Sequence, residues 1–162
     1  MRLHETGLMT HAQRRCKVSE EISIFAARSM ARVFAGEQGF LPEVCEELVV
    51  VVSELASNIV KYGRRGHIEI STVESAERGR GLMIVAEDES APFDLTSALR
   101  DGYDAIGKLD PARVYKRGGI GAGLGAVSRL SDSIEQIPHG TGKQIVVRRF
   151  ERRPRRGSSP SL

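Results

Sequence analysis

The chain has 162 residues, of which 40% are hydrophobic and 28% charged, and its net charge is +3. That length fits one domain, and such a domain buries on the order of 70% of its unfolded-chain surface, so no disulfide staples are needed. No apolar run approaches the ~20 residues of a membrane span, and residues 1–10 lack the apolar core of a secretory signal, so a cytoplasmic protein is expected.

Residues 1–13 read as a flexible N-terminal segment and 14–18 as a short strand or lead-in. Ile22, Phe25, Ala26, Met30, Val33 and Phe34 then recur at three- and four-residue steps, which predicts a helix with these side chains on one face. Gly36 and Gly39 end it. Pro42 suits the first turn of a second helix over 42–62, with Gly63 as its C-cap. The run 48–52 is apolar nearly all round, so this helix should be central and buried. Residues 67–73 alternate Ile68, Ile70 and Thr72 against polar neighbours, and 81–86 form a strand apolar on both faces. The polar stretch 75–80, with Gly79, joins them as a hairpin. Residues 91–117 have little periodicity, the mark of a long functional loop. A helix follows over 121–130, then strands at 133–137 and 143–150 around a turn at 138–142. This order predicts an α+β fold: a two-layer α/β sandwich with a mixed, mostly antiparallel sheet covered on one face by helices.

Arg148, Arg149, Arg152, Arg153, Arg155 and Arg156 crowd the C-terminal end, and without them the remainder is slightly acidic. The basic charge therefore reads as a solvated, frayed terminus, with 152–162 a disordered basic, Ser-rich tail, rather than as a nucleic-acid footprint. Cys16 and Cys45 match no metal spacing and read as reduced thiols. His4, His11 and His139 have no metal-like spacing either, and His67 merely flanks a strand.

Three segments carry chemistry. In VVSELASNIVKYG, Glu54, Asn58 and Lys61 project from the same side of the second helix. An Asn carbonyl oxygen suits a hard cation such as magnesium, and a nearby carboxylate can take a proton from an attacking hydroxyl. Spacing alone also describes a solvated pair one turn apart. In RGGIGAGLGAVSRL, glycines at 118, 119, 121, 123 and 125 run into a helix. Their amides and the helix N-terminus favour phosphate, though a flexible linker has the same composition. The segment lacks the Lys-Ser/Thr end of a Walker A loop. Asp88 closes the third strand pattern, where a carboxylate can accept from an exocyclic amine such as adenine N6, or simply make a turn.

In this order the motifs resemble those of the GHKL ATPases, which include gyrase and the histidine kinases. Within these the chain is similar to the anti-sigma-factor serine/threonine kinases, most of all the RsbT-like switch kinases. SELASNIVKYG resembles the N box, EDESAPFD stands in the place of the G1 box, GGIGAGLG resembles the G2 box and HGTGKQI the G3 position. The resemblance implies a Bergerat-type ATP-binding kinase domain over 14–151 that uses ATP and Mg2+. It implies Glu54 as catalytic base and Asn58 as magnesium ligand. It further implies a nucleotide site of Asn58, Lys61, Asp88, Ser90, Pro92, Gly118, Gly119, Ile120, Gly121, Ala122, Gly123, Leu124 and Thr141, in which Asp88 reads the adenine amino group and Thr141 supports the adenine end. Ser90 departs from the family, which carries glycine there. Its added Cβ disfavours a positive φ and crowds the base, worth ~1 kcal/mol or more.

The function implied is transfer of phosphate from ATP to Ser or Thr of a STAS-domain antagonist protein, in a bacterial stress-response module that switches partners. A PP2C-type phosphatase or a sigma factor are further partners of this branch, and a homodimer stays open. The competing reading is a binding module that grips such a partner with little or no catalysis. Glu54 favours the kinase and Ser90 the binder. A histidine-kinase catalytic domain is a third reading, without a dimerising helical hairpin ahead of it.

Overall fold

A computed structural model describes residues 2–3, 8–100 and 123–151. The strands are β1 (Arg2–Leu3), β2 (Met9–Val18), β3 (Gly66–Ser75), β4 (Gly79–Asp88), β5 (Ser133–His139) and β6 (Gly142–Phe150). The helices are α1 (Glu21–Glu37), α2 (Pro42–Tyr62), the single turn α3 (Leu95–Ala98) and α4 (Gly123–Leu130). The strands form one sheet in the order β1-β2-β3-β4-β6-β5. Every described pairing is antiparallel, so the sheet is not mixed among the described residues.

Strand alternation sorts the sheet into two faces. Ile68, Ile70, Leu82, Ile84, Ala86, Ile145 and Val147 point to the helices and share their core with α2 residues such as Leu48, Val52, Leu55 and Ile59. Val73, Met83, Val85, Val146 and Phe150 point the other way and form a smaller cluster with Leu8. The helix layer thus covers one face of an α/β sandwich, as the order of elements predicts.

α2 spans the predicted residues, with Pro42 in its first turn and Gly63 N–H donating to Ile59 O at 2.8 Å. Its buried side runs almost all round, from Val44 and Cys45 to Ile59. Arg149, 6% exposed, ties it to β6 by donating from Nε to Glu47 Oε2 at 2.7 Å. Arg148 pairs with Glu135 on β5. These two arginines therefore belong to the sheet and not to a frayed basic terminus, while 152–162 lies outside the described residues.

Two expectations change. β2 begins at Met9, inside the stretch expected to be flexible. A register shift between Thr10 and Gln13 breaks its alternation, and its outer positions are charged, which hides the strand in the sequence. α1 buries Ala27, Ala31, Phe34 and Ala35, whereas Ile22, Phe25 and Val33 are 69%, 63% and 54% exposed. Small alanines beside Phe34 let α1 lie close against α2, and Ile22, Phe25 and Val33 are turned outward. Gly36 lies within the helix, and Gly39, at φ +72, is the residue that ends it.

Candidate functional site

The last two turns of α2 supply one wall of a cavity. Leu55, Asn58, Ile59 and Tyr62 line it, facing Ala86 and Asp88 of β4 and Lys143 and Ile145 of β6. Ser90, Ala91 and Phe93 close the side beyond the end of β4. The cavity holds about 140 Å3, below the ~300–1,000 Å3 of a site that encloses a whole small molecule. Its apolar walls and single polar end suit the flat ring system of a larger ligand.

Glu54 sits one turn before Asn58 on α2, 7% exposed. Its Oε1 is buried and has no hydrogen-bond partner among the described residues. Burial pushes its carboxyl above the ordinary glutamate value, against a smaller opposing pull from Lys61. Asn58 is half-buried on the cavity wall, and Lys61 lies further out, exposed. An orphaned buried carboxylate beside a half-buried carboxamide is costly for a fold that gains nothing from it. No group of three His, Cys, Asp or Glu among the described residues is arranged to hold a metal. Magnesium needs only one or two side-chain oxygens when phosphates supply the rest, so Asn58 with its neighbour Glu54 fits such an ion.

The polar end is built around Asp88, the last residue of β4. Asp88 and Lys143 are direct partners in the β4–β6 register, and both side chains fall on the helix-facing side. Both are buried, and Lys143 Nζ donates to Asp88 Oδ1 at 3.1 Å and to Oδ2 at 3.0 Å. Ser90 completes the group. Its N–H donates to Asp88 Oδ1 at 2.7 Å, an Asx turn. Its hydroxyl donates to the same oxygen and accepts from Lys143 Nζ. Arg65 is the sole non-glycine with positive φ among the described residues, so Ser90 carries none of the backbone strain expected of a serine in the glycine's place. Its hydroxyl instead joins the polar group.

Two glycines make room for this group. A Cβ on Gly63 would stand 3.0 Å from Asp88 Cγ. One on Gly142 would stand 2.0 Å from Asp88 O and 2.6 Å from Glu89 Cα, closer than any side chain can approach.

The other expected residues are spread differently. Pro92 and Thr141 are exposed and do not line the cavity. Thr141 belongs to the two-residue turn between β5 and β6, so Lys143, two residues on, takes the place at the cavity that Thr141 was expected to fill. Gly118, Gly119, Ile120, Gly121 and Ala122 lie outside the described residues. Gly123, at φ +56, opens α4, and Leu124 is buried where α4 packs on α2.

Three contributors escape sequence reasoning. Lys143 is polar in a strand-like run and meets Asp88 only through pairing across the sheet. Phe93 lines the cavity, with Lys143 Nζ 5.5 Å from its ring centre. Gln136 holds it there, accepting from Phe93 N–H at 3.2 Å and donating to Phe93 O at 2.8 Å. The PFD run after Asp88 marks Phe93 as an apolar residue in a polar loop, the one signal that points to it.

The model of a family described as the histidine kinase-like ATPase domain matches residues 9–149. The serine/threonine-protein kinase RsbT of Bacillus subtilis (strain 168) is 36% identical over 118 residues, which cover 72% of this chain and 79% of that protein.

Proposed function

This chain belongs to the histidine kinase-like ATPase family, and within it to the RsbT-like protein kinases; from that premise we propose that it phosphorylates Ser or Thr of a STAS-domain antagonist protein in a sigma-factor regulatory module, with ATP as donor. The observation that carries the reading is Glu54, a buried carboxylate with an unpartnered oxygen and a raised pKa, one turn from Asn58 at the mouth of a base-sized cavity.

Phosphoryl transfer asks mainly for positioning and charge neutralisation. The cavity takes the purine, its apolar walls on the ring and its polar end on the ring edge. The triphosphate then runs along α2 past Asn58. Asn58 would hold magnesium by its carbonyl oxygen, and that ion would supply charge neutralisation at the phosphates. Glu54 accepts the proton of the substrate hydroxyl as its oxygen bonds to the γ-phosphorus and the bridging bond to the β-phosphate breaks, leaving ADP. Burial raises the basicity of Glu54, which suits a proton acceptor working near neutral pH.

No described helix is long and apolar enough to cross a membrane. Incubation with ATP, magnesium and a STAS-domain protein should yield phosphoserine or phosphothreonine on that protein, read by mass spectrometry. Binding of the STAS protein without transfer would sink the kinase reading and leave a partner-gripping module.

A further inference from the structure

We infer that Lys143 sets the base specificity of the cavity, and that it opens the site to 6-oxopurine as well as 6-aminopurine nucleoside triphosphates. This inference rests on the nucleotide reading of the cavity and deepens it.

A bare carboxylate at the end of a purine slot selects for a donor. It accepts from the exocyclic amine at C6 of adenine and repels the carbonyl that guanine and hypoxanthine carry there. Asp88 is not bare. Lys143 Nζ sits 3.0–3.1 Å from both its oxygens, inside the same cavity and 5% exposed. The end wall is therefore a neutral ion pair that presents a donor and an acceptor side by side.

The bonding count says what this wall can still do. A lysine ammonium has three N–H donors and a carboxylate about four acceptor sites. Lys143 spends its donors on Asp88 Oδ1, Asp88 Oδ2 and Ser90 Oγ. Asp88 Oδ1 already accepts from Ser90 N–H, Ser90 Oγ and Lys143, whereas Oδ2 accepts from Lys143 alone among the described residues. Oδ1 is crowded with three donors, while Oδ2, with two lone pairs and one donor among the described residues, keeps one acceptor site open. One Lys143 donor is duplicated on the two carboxylate oxygens, so it can turn to a ligand without leaving Asp88 unpaired.

Adenine fills this pair of sites with its C6 amine on Oδ2 and N1 on Lys143. Hypoxanthine and guanine fill it the other way, with N1–H on Oδ2 and the C6 carbonyl on Lys143. Each base makes the same number of bonds, and neither meets an uncompensated like charge. Ser90 Oγ accepts from Lys143 Nζ at the cavity wall, which makes it the positioning residue for Lys143.

The test is calorimetry of the whole chain with ATP and with inosine triphosphate, in magnesium. The wild type should bind the two within about tenfold of each other, tenfold being about one charge-assisted hydrogen bond. Lys143→Thr and Lys143→Met should each widen the preference for ATP by about tenfold or more, mainly through weaker binding of inosine triphosphate. A wild-type preference for ATP well above tenfold would overturn the inference, as would folded variants with an unchanged ratio. The wild-type comparison stands even where a variant fails to fold. Loss of the nucleotide reading looks different: neither triphosphate would bind, and both proposals would fall together.

Discussion

Glu54→Gln separates what a buried carboxylate does for the reaction from what it does to the fold. The side chain is 7% exposed, and Oε1 lacks a partner among the described residues. A buried polar group without a partner costs about 1–3 kcal/mol, more when charged. The pull of Lys61 offsets part of that, so the low end, about 1 kcal/mol, is the fair expectation. Glutamine keeps the shape and removes the charge. For a chain of this length, 1 kcal/mol corresponds to roughly 2–4 °C in Tm, so the variant should melt that much higher at pH 7.5. The sign with pH follows from the raised folded-state pKa. The protonated carboxyl is favoured in the folded chain, so this contribution to stability is fully present below the unfolded glutamate value and is lost as pH rises through the folded one. The gain of the variant over the wild type should therefore vanish in acid, below the ordinary glutamate range. Phosphotransfer should fall by about 10²–10⁴, the usual worth of a positioned base, with nucleotide affinity nearly intact. The assays are thermal melts from acid to neutral pH and single-turnover phosphotransfer. A variant less stable than the wild type at pH 7.5 would refute the orphaned-charge argument, and retained transfer would refute the base.

Other perturbations test the frame around the site. Gly142→Ala puts a methyl group 2.0 Å from Asp88 O, so β6 must shift from β4. Overpacking of this kind costs about 1–3 kcal/mol, and ATP affinity should fall with Tm; an unchanged melt would contradict the close approach. Phe25→Ser, at a position 63% exposed, should leave stability within about 0.5 kcal/mol, whereas Ala31→Leu on the buried face of α1 should cost about 1–3 kcal/mol. Denaturant titration of the pair would expose a misassigned face if the order were reversed.

Much of the fold was legible because its elements carry strong local signals. The run 48–52 with Pro42 ahead of it marks α2, and the apolar run at 81–86 marks β4 as the inner strand it is. The faces of α1 were not legible. Ile22, Phe25 and Val33 obey helical spacing as well as Ala27, Ala31 and Phe34 do, and which stripe is buried depends on how closely α2 approaches. At the site, Glu54, Asn58 and Asp88 stood out as candidates by spacing and by resemblance, and Asn58 and Asp88 line one cavity. Lys143 did not stand out, because its importance lies in register. Only the β4–β6 pairing puts it opposite Asp88. Thr141, two residues earlier, has the more familiar chemistry but falls in the turn.

The polar end of the cavity also orders events in time. Asp88 and Lys143 are 55 residues apart in the chain, and Phe93 and Gln136 are 43 apart. Closing a loop of that length forfeits about 3–4 kcal/mol of chain entropy before its contacts repay it. Of the pairings around the cavity, β3 with β4 is local, joined by a hairpin between Ser75 and Gly79, whereas β6 must come back to β4 from far along the chain, so the cavity comes into being only when β6 docks against β4. A chain in which β6 has not docked lacks the cavity proposed to take the purine. A ligand that fills the slot stabilises only the finished sheet, by RT ln(1 + [L]/Kd). If nucleotide fills the slot as proposed, it is a fastener for the C-terminal hairpin, and its binding reports that β6 has docked against β4.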